Sequence, residues 1–346
     1  MAWSTPSRER RVLKAGHSSI AVTLPKPWAE AMNLRPGDLI VFDQNDDGTL
    51  YLKPAPTGGT GGTSPPYLVQ VHSFEAPGIL ERLIVGAYRV GHDAIEIRTE
   101  VAFSPERVEE LHAAARGLLG VSVVAQEPNR VLLQNFIDPS KYGLPQLVQR
   151  MKMILVAFLD EIEEILQSHV RSRRLATLDE EGNKVLALLV RQLFLASRDW
   201  SLARRIGSPD PRHLLEWRVV VHSLQDLSRL FREATSLLNE SASSLPGLSD
   251  SLVSFVPEIK AYLKEVMDAL LHPTLERACE VHQAGIPLGE AALRATDRLK
   301  GAARRNGIFA ASISLQRSTR CLSLLSEVAI DRAVSAGTET ILADAA

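Results

Sequence analysis

Hydrophobic and polar positions change rhythm twice along the chain, and each rhythm predicts a different kind of structure. Up to about residue 54 the apolar positions are short and alternating: Val12, then Ile20, Val22 and Leu24, read as half-buried strands. Pro25 and Pro27 end the second strand and open a short helix through Met32. Arg35-Pro36-Gly37-Asp38 places Pro and Gly in the order a type II turn needs, and Leu39 to Phe42 with Leu50 to Leu52 predict a hairpin across Asp46-Asp47-Gly48. A ββαββ unit of this size has too little core to stand alone, which predicts interleaving with a second copy and hence a dimer.

The stretch PAPTGGTGGTSPP, residues 54 to 66, replaces nearly everything that could pack with Gly, Pro and Thr and predicts a flexible linker over 55–66. No Gly-Lys-Ser/Thr follows its glycines, so it is not read as a phosphate-cradling loop. Beyond it, Tyr67 to His72 predicts a strand, Pro77 to Val90 a helix and Ala94 to Arg98 a strand. Ser104-Pro105-Glu106 then supplies an N-cap, a first-turn Pro and an acid for a helix to about Leu119. Val121 to Ala125 and Arg130 to Phe136 flank Glu127-Pro128-Asn129 as a closing hairpin. The βαβαββ order over 67–138 predicts a small open sheet with both helices on one face, of the ferredoxin-like or ligand-sensing type.

From about Leu144 the period becomes 3.6. Leu144, Val148, Met151, Leu155, Phe158, Ile162 and Ile165 form one stripe, with Asp160, Glu161, Glu163 and Glu164 largely off it. Thr177-Leu178-Asp179-Glu180 reads as a capping box for a second helix ending near Ile206, and Pro209 to Pro211 precede a third running to about Leu238. NESASSLPGLSD, residues 239 to 250, breaks the series. Three further helical patterns follow at roughly 251–271, 274–300 and 311–336, the middle one with a kink predicted at Gly285-Ile286-Pro287. Two three-helix units in tandem, 139–238 and 248–338, read as an internal repeat. The expected fold class is therefore multidomain α+β, with a strand-rich head, a small ferredoxin-like sheet domain and two mainly α bundles.

Composition narrows the function classes. The 346 residues are 45% hydrophobic and 23% charged, which excludes a disordered tail or a collagen-like fibre. Lys plus Arg total 39 against 41 Asp plus Glu, so a net charge of -2 gives no global pull toward polyanions, and any such site must be local. Cys279 and Cys321 form no C-x-x-C pair, which excludes a zinc knuckle and favours two buried thiols in a reducing compartment. With no secretory h-region and no run of 18 apolar residues, the expected location is the cytoplasm, without membrane insertion.

The local charge lies at residues 8 to 26, where Arg8, Arg10, Arg11, Lys14 and Lys26 face a single acid, Glu9, and a dimer doubles the set. Ser18, Ser19 and the turn amides around Gly16 add donors suited to phosphate oxygens, while Arg can also fork onto a guanine edge. The alternative is a solvated strand face. The run LKAGHSSIAVTLPKPWAEAMNLRPGDLIVFDQNDDGTLYLKP resembles the AbrB/SpoVT family, which shares its order with MazE-type antitoxins: basic strand, Gly-x-Ser-Ser turn, hydrophobic strand into Leu-Pro-Lys, helix, Leu-x-Pro-Gly-Asp. The resemblance covers residues 9 to 54. It implies an intertwined swapped-hairpin dimer, a small β-barrel whose first strand and following loop contact duplex DNA, which points at Arg10, Arg11, Lys14, His17, Ser18, Ser19 and Lys26; the local charge adds Arg8 to the candidate contacts.

The helical remainder resembles a tandem PhoU protein, a regulator of phosphate uptake. The family carries Glu/Asp-x-x-x-Asp on the third helix of each unit, and an i, i+4 pair of oxygen ligands can hold a cation. At the matching positions this chain has His222 and Asp226 in the first unit; in the second, Ser323 stands for the first acid, with Glu327 and Asp331 beyond it. These four are the candidate metal ligands, and spacing alone is equally met by solvated helix faces. No H-E-x-x-H and no nucleophile-base arrangement occurs, so no enzyme is expected. The resemblance implies a transcriptional regulator of phosphate homeostasis whose helical body receives a signal from a phosphate transporter ATPase or a sensor histidine kinase. Two alternatives remain: a dimeric regulator of those partners without DNA binding, and a small-ligand sensor built on the middle domain.

Overall fold

The computed structural model describes residues 9–44, 48–55, 65–71, 78–242, 250–299 and 307–337. Arg8, the tip residues Asp46 and Asp47, most of the expected linker and the core of the 239–250 break lie outside the described residues. The chain divides into two compact units, Met1–Gly62 and Thr63–Ala346: a small strand-rich head and a mostly helical body.

In the head, β1 (Leu13–Ala15) pairs antiparallel with β2 (Ser19–Ala21), and β3 (Ile40–Gln44) with β4 (Leu50–Pro54), as two separate two-stranded sheets. Between them α1 (Lys26–Ala31) starts from Pro25 at its N-cap, with Pro27 in its first turn. The turn at residues 35–38 has the expected form: Asp38 N donates to Arg35 O at 3.0 Å, and Gly37 sits at φ +99°, where a Cβ would be strained.

The body opens with β5 (Tyr67–Val71), α2 (Ile79–Arg89), β6 (Ala94–Thr99), α3 (Pro105–Arg116), β7 (Val121–Glu127) and β8 (Arg130–Asn135). Ser104 Oγ caps α3 by accepting from Arg107 N, as the sequence predicts. The sheet order is β5-β6-β8-β7, with β5 parallel to β6 and β8 antiparallel to both of its neighbours. This corrects the ferredoxin-like expectation in part. The pair β6-α3-β7 with β8 inserted between the strands is the split βαβ of that type, but the first crossover joins adjacent strands, which the β-α-β-β-α-β order does not do. Ile95, Ile97, Val131 and Leu133 alternate inward to meet Leu80, Ile84 and Leu111 of the two helices. Glu96 points to the other face and is still only 3% exposed, because Arg98 and Arg130 both hydrogen-bond its carboxylate and hold its pKa below the usual range.

Six long helices follow: α4 (Leu144–Ser168), α5 (Leu175–Ala196), then after a short α6 (Trp200–Arg205) α7 (Pro211–Glu240), α8 (Asp250–Leu271), α9 (Leu275–Arg298) and α10 (Gly307–Ala336). Helices α4, α7, α10 and α8 pack in a ring, with α5 laid against α4 and α7 and α9 against α8 and α10. In each half the first and third long helices join the ring and the second lies outside it. Every residue of the predicted α4 stripe is fully buried.

Three expectations change. Glu161 is not off the core face: it is buried, with Ser172 Oγ donating at 2.6 Å and Arg174 at 2.9 Å. The box at Thr177 is not a cap, because α5 is already helical from Leu175, whose side chain packs against the core. That helix also ends at Ala196 rather than near Ile206. Asp199 restarts the chain as α6 by accepting from Ser201 N and Leu202 N, a cap hidden within a continuous helical pattern. The pattern predicted over 274–300 is a single helix, α9, with Pro287 inside it.

One buried side chain ties the sheet domain to the bundle where α2 packs against α5. Arg191 of α5, 2% exposed, donates to Tyr88 O at 2.7 Å and His92 O at 2.9 Å, pairs with Asp93, and lies 4.9 Å from the Tyr88 ring centroid. Burial dominates its environment, pushing its pKa down and that of the Tyr88 hydroxyl up to about 12. Sequence reading missed Arg191; the available signal was a lone cation in the apolar run VLALLVRQLFLA.

Candidate nucleic-acid interface

Alternation on the first hairpin is set by the register Leu13↔Ala21, Lys14↔Ile20 and Ala15↔Ser19. Lys14 therefore shares a face with Ile20, while Leu13, Ala15, Ser19 and Ala21 share the other. The connection Gly16-His17-Ser18 turns through Gly16 at φ +80°, so His17 and Ser18 stand at the tip and Ser19 opens the return strand.

Arg10, Arg11, Lys14, His17, Ser18 and Ser19 are all exposed and lie within ten residues around this one hairpin. Arg10 Nη1 donates to Glu9 O at 3.3 Å, an exposed local contact. Lys26 stands apart at the start of α1 and pairs with Glu30 at 3.7 Å, both strongly exposed, so its charge is partly offset. The structure thus gathers six of the predicted contacts on one hairpin, leaves Lys26 on the neighbouring element, and does not describe Arg8.

None of the described residues from 9 to 55 is buried. Val12 is 64% exposed, Ile20 77%, Leu39 76% and Phe42 61%, and Leu13, Val22, Leu50 and Tyr51 are also open. Leu13 and Ile20 are on the strands of the basic hairpin, and Val12 and Val22 directly flank them. A single copy of the head therefore has paired strands and a well-formed turn but no core.

The candidate metal ligands are not brought together. His222 Nε2 lies 3.9 Å from Asp226 Oδ2 on α7, but Asp226 also pairs with Arg229 at 3.3 Å. Glu327 and Asp331 are exposed on α10. Among the described residues no group of three or more His, Cys, Asp or Glu side chains could hold a metal ion. Both cysteines are free and half-buried, and burial raises the Cys321 thiol pKa. No helix among the described residues is long and apolar enough to cross a membrane.

No curated protein and no solved structure matches the chain. One family model does: residues 13–60 match MazE, described as antidote-toxin recognition, bacterial antitoxin. The stretch that matches is the one carrying the basic hairpin and the exposed apolar strands, and the head is similar to MazE/AbrB-type domains, which are typically dimeric and DNA-binding.

Proposed function

We propose that the protein is a homodimeric, DNA-binding transcriptional regulator that reads duplex DNA through paired heads. The observation that carries this is the head without a core: its strands expose apolar side chains in register with a basic hairpin. A second copy would cover the apolar positions and double the cations. Two copies of Arg10, Arg11 and Lys14 give six charges on a compact patch, enough for phosphate neutralisation to dominate affinity. His17, Ser18 and Ser19 would supply neutral donors at the hairpin tip.

The test is the anisotropy of a labelled duplex from the protein's own upstream region, titrated from 50 to 200 mM salt. If about six phosphates are neutralised, affinity falls by roughly 10³ over that range, and replacing Arg10, Arg11 and Lys14 by Gln flattens the slope. Absence of binding at low salt would sink the reading and leave a dimeric module that acts only on other proteins, such as a transporter ATPase or a sensor kinase.

The six-helix body serves in this reading as the signal-receiving module. Its repeat of three long helices fits the PhoU resemblance, whereas the link to phosphate uptake rests on that sequence resemblance alone. We assign the chain no catalytic role, and no metal is needed for the proposed activity.

A further inference from the structure

A cavity of about 840 Å³ lies in the body between α2, α3 and α5, where the sheet domain meets the bundle. Ligand sites concentrate at such junctions, and the volume suits a small metabolite. Helix α2 lines it with Arg82, Val85, Gly86 and Arg89, positions i, i+3, i+4 and i+7 on one stripe. A Cβ built on Gly86 would meet nothing within 4 Å, so this floor is open space and not a packed contact.

The charges around the cleft do not balance one another. Asp179 already pairs with Arg232 at 3.3 Å, Glu180 with Lys184 at 2.6 Å, and Arg116 with Glu109. Arg82 and Arg89 form no ion pair among the described residues, against one remaining acid, Glu81. Arg89 is the telling case. Its side chain is half-buried and its Nε is sealed from solvent with no acceptor. Burial lowers its pKa and the neighbouring charge of Arg218 lowers it further, with no carboxylate acting against them. A desolvated cation costs stability, and an anion bound in the cleft that Arg89 lines would offset that cost.

We propose that this cleft binds a small polyanion bearing phosphate or carboxylate groups, with Arg89 as its anchor and Arg82 as the second contact. The guanidinium fork suits either group, since both present coplanar oxygens to paired N–H donors. Arg82 and Arg89 stand seven residues apart, about 10 Å along the helix, so a ligand with charge at both ends engages both better than a single compact ion. The site stands on the body alone, and its test uses no DNA, so its failure would leave the DNA-binding reading untouched.

The experiment is isothermal titration calorimetry on the full chain with two probes, pyrophosphate and citrate, at matched ionic strength. Binding of either with Kd below about 1 mM is expected, pyrophosphate alone marking a phosphate ligand, citrate alone a carboxylate ligand, and both a site that reads charge only. Arg89→Gln should weaken binding at least tenfold without lowering the melting temperature of the free protein, because it removes a repulsion. Gly86→Leu should abolish binding by filling the floor while favouring the helix. Arg150→Gln, an exposed change on α4, should leave it unaltered. Affinity weaker than about 1 mM for both probes, or equal losses in Arg89→Gln and Arg150→Gln, would overturn the proposal.

Discussion

The head and the helical body obey opposite rules with similar residue types. In α4 the Leu, Ile, Val, Met and Phe side chains of one stripe are all sealed inside a single copy. In the head the same kinds of side chain, Val12, Ile20, Leu39 and Phe42, stand more than half exposed although the strands they lie on or flank are paired. Strands and helices form their regular backbone pairing in both regions, so what differs is where the apolar surface goes. The body buries it within the chain, and the described residues of the head leave it exposed. Stability of the first should be independent of concentration, and that of the second should not.

Substitutions can break this contrast in graded steps. The largest effect belongs to the body: Phe158→Ala leaves a cavity at a fully buried position and should cost about 3–5 kcal/mol in urea unfolding, equally at low and high protein concentration. Arg191→Leu comes next, at about 2–3 kcal/mol, because the Tyr88 and His92 carbonyls lose a charged donor. Hydrogen exchange should rise at residues 88–93 and stay unchanged in α4; a uniform rise would mean that Arg191 only fills space. In the head, Ile20→Asp should weaken self-association at least tenfold by sedimentation while the body melts unchanged. A dimer that survives this substitution would place its contacts elsewhere.

The smallest effect is at a helix end. Asp210 caps α7, and its pKa is lowered to about 2 by hydrogen bonds from the Arg212 side chain and then its backbone N–H. A lowered carboxylate pKa stabilises the fold above the unfolded value of 3.8 and ceases to do so as pH falls through about 2. The ion pair faces water, so Asp210→Ala should cost about 1 kcal/mol at neutral pH, mainly through the cap. Its denaturation midpoint should converge with that of the unaltered protein near pH 2.

Legibility in sequence followed period and turn chemistry. The α4 stripe was readable because it holds its spacing over 25 residues, and the turn at Arg35-Pro36-Gly37-Asp38 because only one backbone geometry suits that order. Glu161 was misplaced because an acid near an apolar stripe looks solvated until the distant partners Ser172 and Arg174 are known. Asp199 was missed because a cap inside an unbroken helical pattern does not alter the period. For the candidate interface, charge and order along the chain picked out the hairpin residues. The uncovered state of the strands beside them could be seen only once burial was known. Arg82 and Arg89 share a face of α2, but that they remain unpaired is a fact of three dimensions.

The split strand order also constrains when the sheet domain can exist. Strand β7 leaves α3 with no neighbour to pair with, since its only partner is β8, which follows it in the chain. Strand β6 likewise keeps one edge open until β8 arrives between them. The sheet can therefore be completed only after the six residues Arg130–Asn135 have been made, because β8 is the strand that joins β6 to β7.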